Sequence, residues 1–301
     1  GNMSTYNDVG FMHIAGPAYV HANYISYTTA TPGKADHMSL SASGGGTAQL
    51  NGVSHAYVNF SVHLSSFNGD QMSDLDLALE SANSVRLSDG EQNYADIGFV
   101  GQLDLDNETD TQVQVNYTWG SVHESFGDDN QIHISSASGA DISSFASQDT
   151  WMTAGWLFDT SIVVTFSDGF DLDAKGLYDS NVFAYGGDNV HIDVGVSDYS
   201  SISFDFVDRG SVDVGMGDAK INLFASSDID VTTGSGDDVL RATASDDVLL
   251  KSGSGDDLIL LDQTSGIARG DAGNDTIIVN GGGLNLVAVS YTHLRAHETE
   301  A

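Results

Sequence analysis

The sequence predicts an all-β protein in two parts. An antiparallel β-sandwich or jelly-roll-like domain is expected over residues 1–185, and a parallel β-roll, a kind of β-solenoid, over residues 186–289. Three observations carry this. Polar and apolar residues alternate through the first part. From about Val190 apolar residues recur at a fixed short interval. Within that second part, three glycine-aspartate loops fall in phase with the interval.

The alternation is clearest in Ala56 to Leu64, Gln112 to Trp119, Gln131 to Ile134 and Ser161 to Phe166. These runs are rich in β-branched and aromatic residues and are bounded by Gly, Asn, Asp and Ser. That is the pattern of half-buried strands joined by turns. Their uneven spacing over the first 185 residues points to a sandwich, whose loops vary in length.

In the second part Ile192, Ile202, Val212, Ile221, Val231, Leu240, Leu249, Ile259, Ala268, Ile277 and Leu286 follow one another at nine or ten residues. A constant period this short means one strand and one turn per repeat, stacked as a solenoid. A nonamer cannot bury its apolar side chain alone, whereas a stack of them can.

Composition narrows the chemistry. The 301 residues carry nine Lys+Arg against 43 Asp+Glu, a net charge of -34. Only six acids are Glu, and Glu is the better helix former. Asp beside Gly, Asn and Ser belongs in turns and in hard-cation loops; plain solubility or salt tolerance is the alternative reading. So acidic a chain repels phosphate backbones and anionic membrane surfaces, which argues against nucleic-acid partners. Without cysteine, disulfide scaffolds and Cys-ligated zinc are excluded. No run reaches the ~18 apolar residues of a membrane span. Gly1 to Val20 has neither the basic start nor the apolar stretch of a signal peptide. The Gly-Asn-Met opening is read as that of a fragment.

The loops are Thr233-Gly234-Ser235-Gly236-Asp237-Asp238, Ser252-Gly253-Ser254-Gly255-Asp256-Asp257 and Gly270-Asp271-Ala272-Gly273-Asn274-Asp275, followed in the eighth place by Leu240, Ile259 and Ile277. Glycine permits backbone conformations that turn carbonyls inward, and the sixth-place Asp adds a carboxylate. Calcium takes six to eight oxygens, more than one such turn offers, so two stacked turns must share an ion. Asp238 and Asp257 are 19 residues apart and Asp257 and Asp275 are 18, which is two repeats. All three loops are therefore expected on one side of the roll, with about two inter-turn sites. The ligands are expected from Gly234, Ser235, Gly236, Asp237, Asp238, Gly253, Ser254, Gly255, Asp256, Asp257, Gly270, Ala272, Gly273 and Asp275. Asp218, in the decayed turn Gly215-Met216-Gly217-Asp218, and Asp247, on the opposite side, are weaker candidates.

These loops resemble the RTX, or haemolysin-type, nonapeptide Gly-Gly-x-Gly-x-Asp-x-U-x, with U a large apolar residue. Thr233 and Ser252 depart from its first place and Asp271 from its second. The resemblance implies a secreted, extracellular bacterial protein with a calcium-binding β-roll that folds on meeting calcium. It also implies export by a type I secretion apparatus, and membership of a larger adhesin or exoprotein. Residues 290–301, Ser290 to Ala301, contain two of the six Glu and no Gly or Asp, and resemble a translated sequencing-adapter tail. They are expected to be non-native.

Secreted RTX proteins include hydrolases, so catalytic motifs matter. The sequence has no His-Glu-x-x-His and no Gly-x-Ser-x-Gly, and no catalytic residue is assigned. A secreted hydrolase with its site in the N-terminal part or in a missing region stays open, as does a carbohydrate- or ice-binding module. His55, His63 and His133 are expected on strand surfaces. Trp151 and Trp156, near Phe158, are expected in the core, with a sugar-stacking platform as the other reading.

Overall fold

The computed structural model describes residues 3–9, 12–14, 19–30, 36–42, 45–281, 284–287 and 293–297, with side chains for 47–281 apart from Val62. The chain is all-β, without a helix among the described residues, and forms a parallel β-solenoid of about 12 turns. It divides into two compact units, Gly1–Thr153 and Ala154–Ala301. Among the described residues no helix is long and apolar enough to cross a membrane.

In the second unit each turn has two short strands, and every strand pairs in parallel with the one two places on. One face runs Asn181↔Ser201, Ser201↔Lys220, Lys220↔Val239, Val239↔Leu258 and Leu258↔Thr276. The repeat thus shortens along the chain from 20 residues to 18. Inside lies a column of Val182, Ile202, Ile221, Leu240, Ile259 and Ile277, each 1% exposed or less. Every such side chain contributes about 1.5–3 kcal/mol by leaving water. Beside it Ala184, Phe204, Leu223, Ala242 and Leu261 form a second buried column of mixed small and large side chains.

The first unit is built the same way, which corrects the expected antiparallel sandwich. Asp76↔Tyr94, Tyr94↔Gln112 and Gln112↔Gln131 are parallel pairs one turn apart. Here a single long strand serves both faces. Gln112–Ser125 pairs through its first half with Gln131–Ser138 and through its second half with Asp141–Phe145. Between the halves the neighbouring turns approach too closely for a side chain: a Cβ on Gly120 would stand 1.7 Å from the Gly101 carbonyl oxygen. Alternation reports that one side of a strand is buried and is silent on strand direction. The 18-to-20-residue register was masked because these turns lack glycine loops.

The Asp excess has a conformational cause as well. Among the described residues, Asp holds ten of the 24 non-glycine positions with positive φ, including Asp89, Asp129, Asp159, Asp179 and Asp247. These are turn corners, where Asp and Asn tolerate the left-handed region better than Glu. Of the tail, only His293–His297 is described, as a strand parallel to Thr276–Asn280; its other residues lie outside the described ones.

Candidate metal centre

Along one side of the second unit, several turns bury the backbone amide that follows a corner. In the upstream turns the next turn's hydroxyl satisfies it. The Thr160 N–H donates to Ser180 Oγ and the Ser180 N–H to Ser200 Oγ, both at 3.0 Å. Downstream the same job passes to carboxylates. The Ala219 N–H donates to Asp238 Oδ1 at 2.8 Å, the Asp238 N–H to Asp257 Oδ1 at 2.9 Å, and the Asp257 N–H to Asp275 Oδ1 at 3.2 Å. The three sixth-place aspartates therefore stack, as their spacing predicts.

A serine would complete this ladder; an aspartate brings one oxygen too many. Asp238, Asp257 and Asp275 are at most 2% exposed. Their Oδ2 atoms make up three of the six buried side-chain polar atoms without a hydrogen-bond partner among the described residues. The nearby Thr233 and Ser252 hydroxyls donate instead to the Ser252 and Gly270 carbonyls, at 2.8 and 3.1 Å. A buried, unpartnered carboxylate oxygen costs more than the roughly 1–3 kcal/mol of a neutral group. Burial accordingly pushes all three carboxyls up; the amide hydrogen bonds accepted by Oδ1 and, beside Asp238 and Asp257, the Thr233 and Ser252 hydroxyls pull the other way, although those hydroxyls make their closest hydrogen bonds to backbone carbonyls. Asp257, flanked by the other two, is raised to about 6.

The backbone around these oxygens is open only to glycine. Gly236, Gly255 and Gly273 have φ of 140°, 141° and 151°. A Cβ on Gly255 would lie 1.8 Å from the Gly236 carbonyl oxygen, and one on Gly273 1.6 Å from that of Gly255. In the third loop Gly270 keeps clear the space beside Asp275, since a Cβ there would stand 2.3 Å from Oδ2. The donor set is hard oxygen throughout, which fits calcium.

Other expected ligands serve differently. Asp237 and Asp256 are exposed, and their Oδ1 atoms accept the N–H groups of Asp256 and Asn274 at 2.9 Å. Asp218 starts this outer ladder by accepting the Asp237 N–H at 2.9 Å. The carbonyls of Ser235, Ser254 and Ala272 already accept the Gly217, Gly236 and Gly255 amides, and those of Gly234 and Gly253 accept the Ser254 and Ala272 amides. Asp247 is exposed on the opposite corner, where the buried acceptor is the Ser245 hydroxyl, bonded to the Ser226 N–H at 3.3 Å. No cluster of three or more His, Cys, Asp or Glu side chains suited to a metal occurs among the described residues. An ion at the inner ladder would thus rest on one inner carboxylate per turn plus backbone oxygens.

Two features were not foreseen. Glu108 and Glu124 are buried, each 1% exposed. Glu108 accepts from Gly90 N, Asn93 Nδ2 and Thr111 Oγ1, and Glu124 from Asn130 Nδ2, Ser144 Oγ and Thr150 Oγ1. Burial raises the Glu108 carboxyl. The only available signal was rarity, two of six Glu in an aspartate-rich chain. Secondly, Trp151 of the first unit is 50% exposed, and Trp156 and Phe158, which fall in the second unit, are 45% and 41% exposed, which overturns their expected place in the core. Being at outward positions of a strand whose inward positions are Met152, Ala154 and Leu157, they cannot reach the interior. The histidines do lie outside: His63 Nδ1 meets Ser81 Oγ across strands at 3.0 Å, and His55 pairs with Asp74 at 3.1 Å.

No protein-family model, curated protein or solved structure matches this chain.

Proposed function

We propose that the turns from Thr233 to Ile277 form a calcium-binding β-roll of the RTX type in a secreted bacterial protein, an adhesin or other exoprotein exported by a type I apparatus. The observation that carries this is the column of buried, unpartnered Oδ2 atoms on Asp238, Asp257 and Asp275. The ladder's structural task needs only one acceptor per turn, as Ser180 and Ser200 demonstrate. A second oxygen, held out of water without a donor, is stabilised by a cation in the gap between turns.

Bound calcium would supply the positive charge that lets these carboxyls ionise while buried. The chain's own part is to hold the oxygens in place. Asp238 and Asp257 fix their neighbours' amides through Oδ1, leaving Oδ2 for the ion, and Gly236, Gly255 and Gly273 allow adjacent turns to close around it. Because the carboxyls must lose protons to bind, affinity rises with pH, and binding free energy becomes folding free energy for these turns.

The test is calorimetric titration of the full chain with calcium, against a variant in which Asp238, Asp257 and Asp275 are all Asn. Uptake of about two ions per chain, absent from the variant, supports the reading. Equal uptake by both would place the ions elsewhere, and no uptake at millimolar calcium would leave a metal-free solenoid.

A further inference from the structure

We propose that the first unit carries a binding site for a neutral glycan, centred on Trp151. Three adjacent strands present it. Gln112 and Gln114 face outward from Gln112–Ser125, Gln131 and His133 from Gln131–Ser138, and Trp151 and Thr153 from the next. The Gln112↔Gln131 register and the hydrogen bond from the Trp151 N–H to the Asn130 carbonyl, at 2.9 Å, bring the indole alongside both amides. Between them lies a depression of about 270 Å³. That is just under the ~300–1,000 Å³ of a drug-sized site, so it suits one ring of a longer chain lying along the sheet.

The chemistry of the lining selects the ligand. Trp151 is half exposed, a large apolar plane offered to solvent by a rigid strand. The Gln112, Gln114 and Gln131 side chains make no hydrogen bond among the described residues, so their donors and acceptors are free for a partner. His133 is not free: its Nδ1 meets Thr153 Oγ1 at 2.6 Å, which fixes the imidazole at the edge.

Charge decides what kind of partner. In a chain of net charge -34, none of the eight residues lining this depression is Asp, Glu, Lys or Arg. A cation finds no carboxylate there to pair with. An anion is repelled by the acidic surroundings, beginning with Asp96, paired in register with Gln114. A pyranose meets every condition, because its C–H face stacks on an indole while its hydroxyls exchange hydrogen bonds with side-chain amides.

This site is independent of the calcium loops. The experiment titrates the full chain, with calcium present, against cellohexaose, xylohexaose, mannohexaose, maltohexaose and chitohexaose, with hexagalacturonate as the anionic counterpart. Tryptophan fluorescence and calorimetry supply the readouts. At least one neutral hexasaccharide is expected to bind, with Trp151→Ala weakening it tenfold or more and Gln131→Ala severalfold. Both side chains are exposed, and unchanged circular dichroism verifies folding. Asp257→Ala, which strikes only the calcium loops, is expected to bind the sugar normally, so the two readings fail separately. Absence of binding by every neutral sugar at millimolar concentration, undiminished binding by Trp151→Ala, or preference for hexagalacturonate overturns the proposal.

Discussion

Asp238 and Asp257 stand one turn apart, with the backbone N–H of the first donating to Oδ1 of the second at 2.9 Å, while each keeps its Oδ2 buried and unpartnered. One oxygen of each carboxylate builds the solenoid and the other is the one that the proposed calcium would engage. Structural and ion-binding roles can therefore be separated by substitution.

Replacing Asp257 by Asn retains an acceptor for the Asp238 amide and removes the carboxylate. In chelator, Asp257→Asn is expected to be as stable as the parent or more stable by about 1–2 kcal/mol, since an ionisable orphan is gone. In calcium it is expected to lose most of the ion's stabilisation. Thermal unfolding with and without calcium measures both; greater loss in chelator than in calcium would contradict the division of roles.

The pH dependence follows from Asp257. Its carboxyl is raised from 3.8 to about 6 in the folded protein, so the metal-free fold holds a proton that the unfolded chain has released. That contribution to stability is fully present below about pH 4 and is lost as pH rises through 6. One such group amounts to about 2–3 kcal/mol. In chelator, the midpoint of the transition reporting on these turns is expected to fall between pH 4 and 7. With calcium, whose binding needs the deprotonated form, the trend is expected to reverse.

The Ser180 and Ser200 hydroxyls close the ladder at the Thr160 and Ser180 amides, so those turns carry no such penalty. They are expected to stay folded in chelator and to serve as a template for the Asp238 to Asp275 turns. Hydrogen exchange in chelator should protect residues 160–224 and leave 234–281 exchanging fast. Uniform exchange across both segments would mean that the solenoid is a single cooperative unit. Ser180→Ala, which orphans the Thr160 amide, is expected to cost about 1–3 kcal/mol with or without calcium.

Gly255 tests the backbone. Alanine there would adopt a φ of 141° and push its Cβ to 1.8 Å from the Gly236 carbonyl oxygen. Loss of several kcal/mol and of calcium affinity is expected, whereas Ser254→Ala, at an exposed side chain, is expected to change stability by less than about 0.5 kcal/mol. Equal behaviour of the two in a calcium titration would rule out the close stacking of these loops.

The stacking of Asp238, Asp257 and Asp275 was legible because the aspartate interval matched twice the strand interval, two independent periods agreeing. The first unit was not, because Asp76, Tyr94, Gln112 and Gln131 keep register without a residue type common to all four. Trp151 was misplaced because a large aromatic side chain is expected inside; only the buried Met152 beside it reveals which way the strand faces. The inner and outer ladders were merged for a related reason. Asp237 and Asp238 are neighbours in sequence, yet strand geometry turns one to water and the other to the core.

The most direct test of the central claim is thermal unfolding of the full chain in chelator and in calcium, alongside the variant with Asn at 238, 257 and 275. The account predicts a large calcium-dependent rise in Tm for the parent, and for the variant a Tm that is indifferent to calcium and at least equal to the parent's in chelator. A variant that still gains stability from calcium would contradict it.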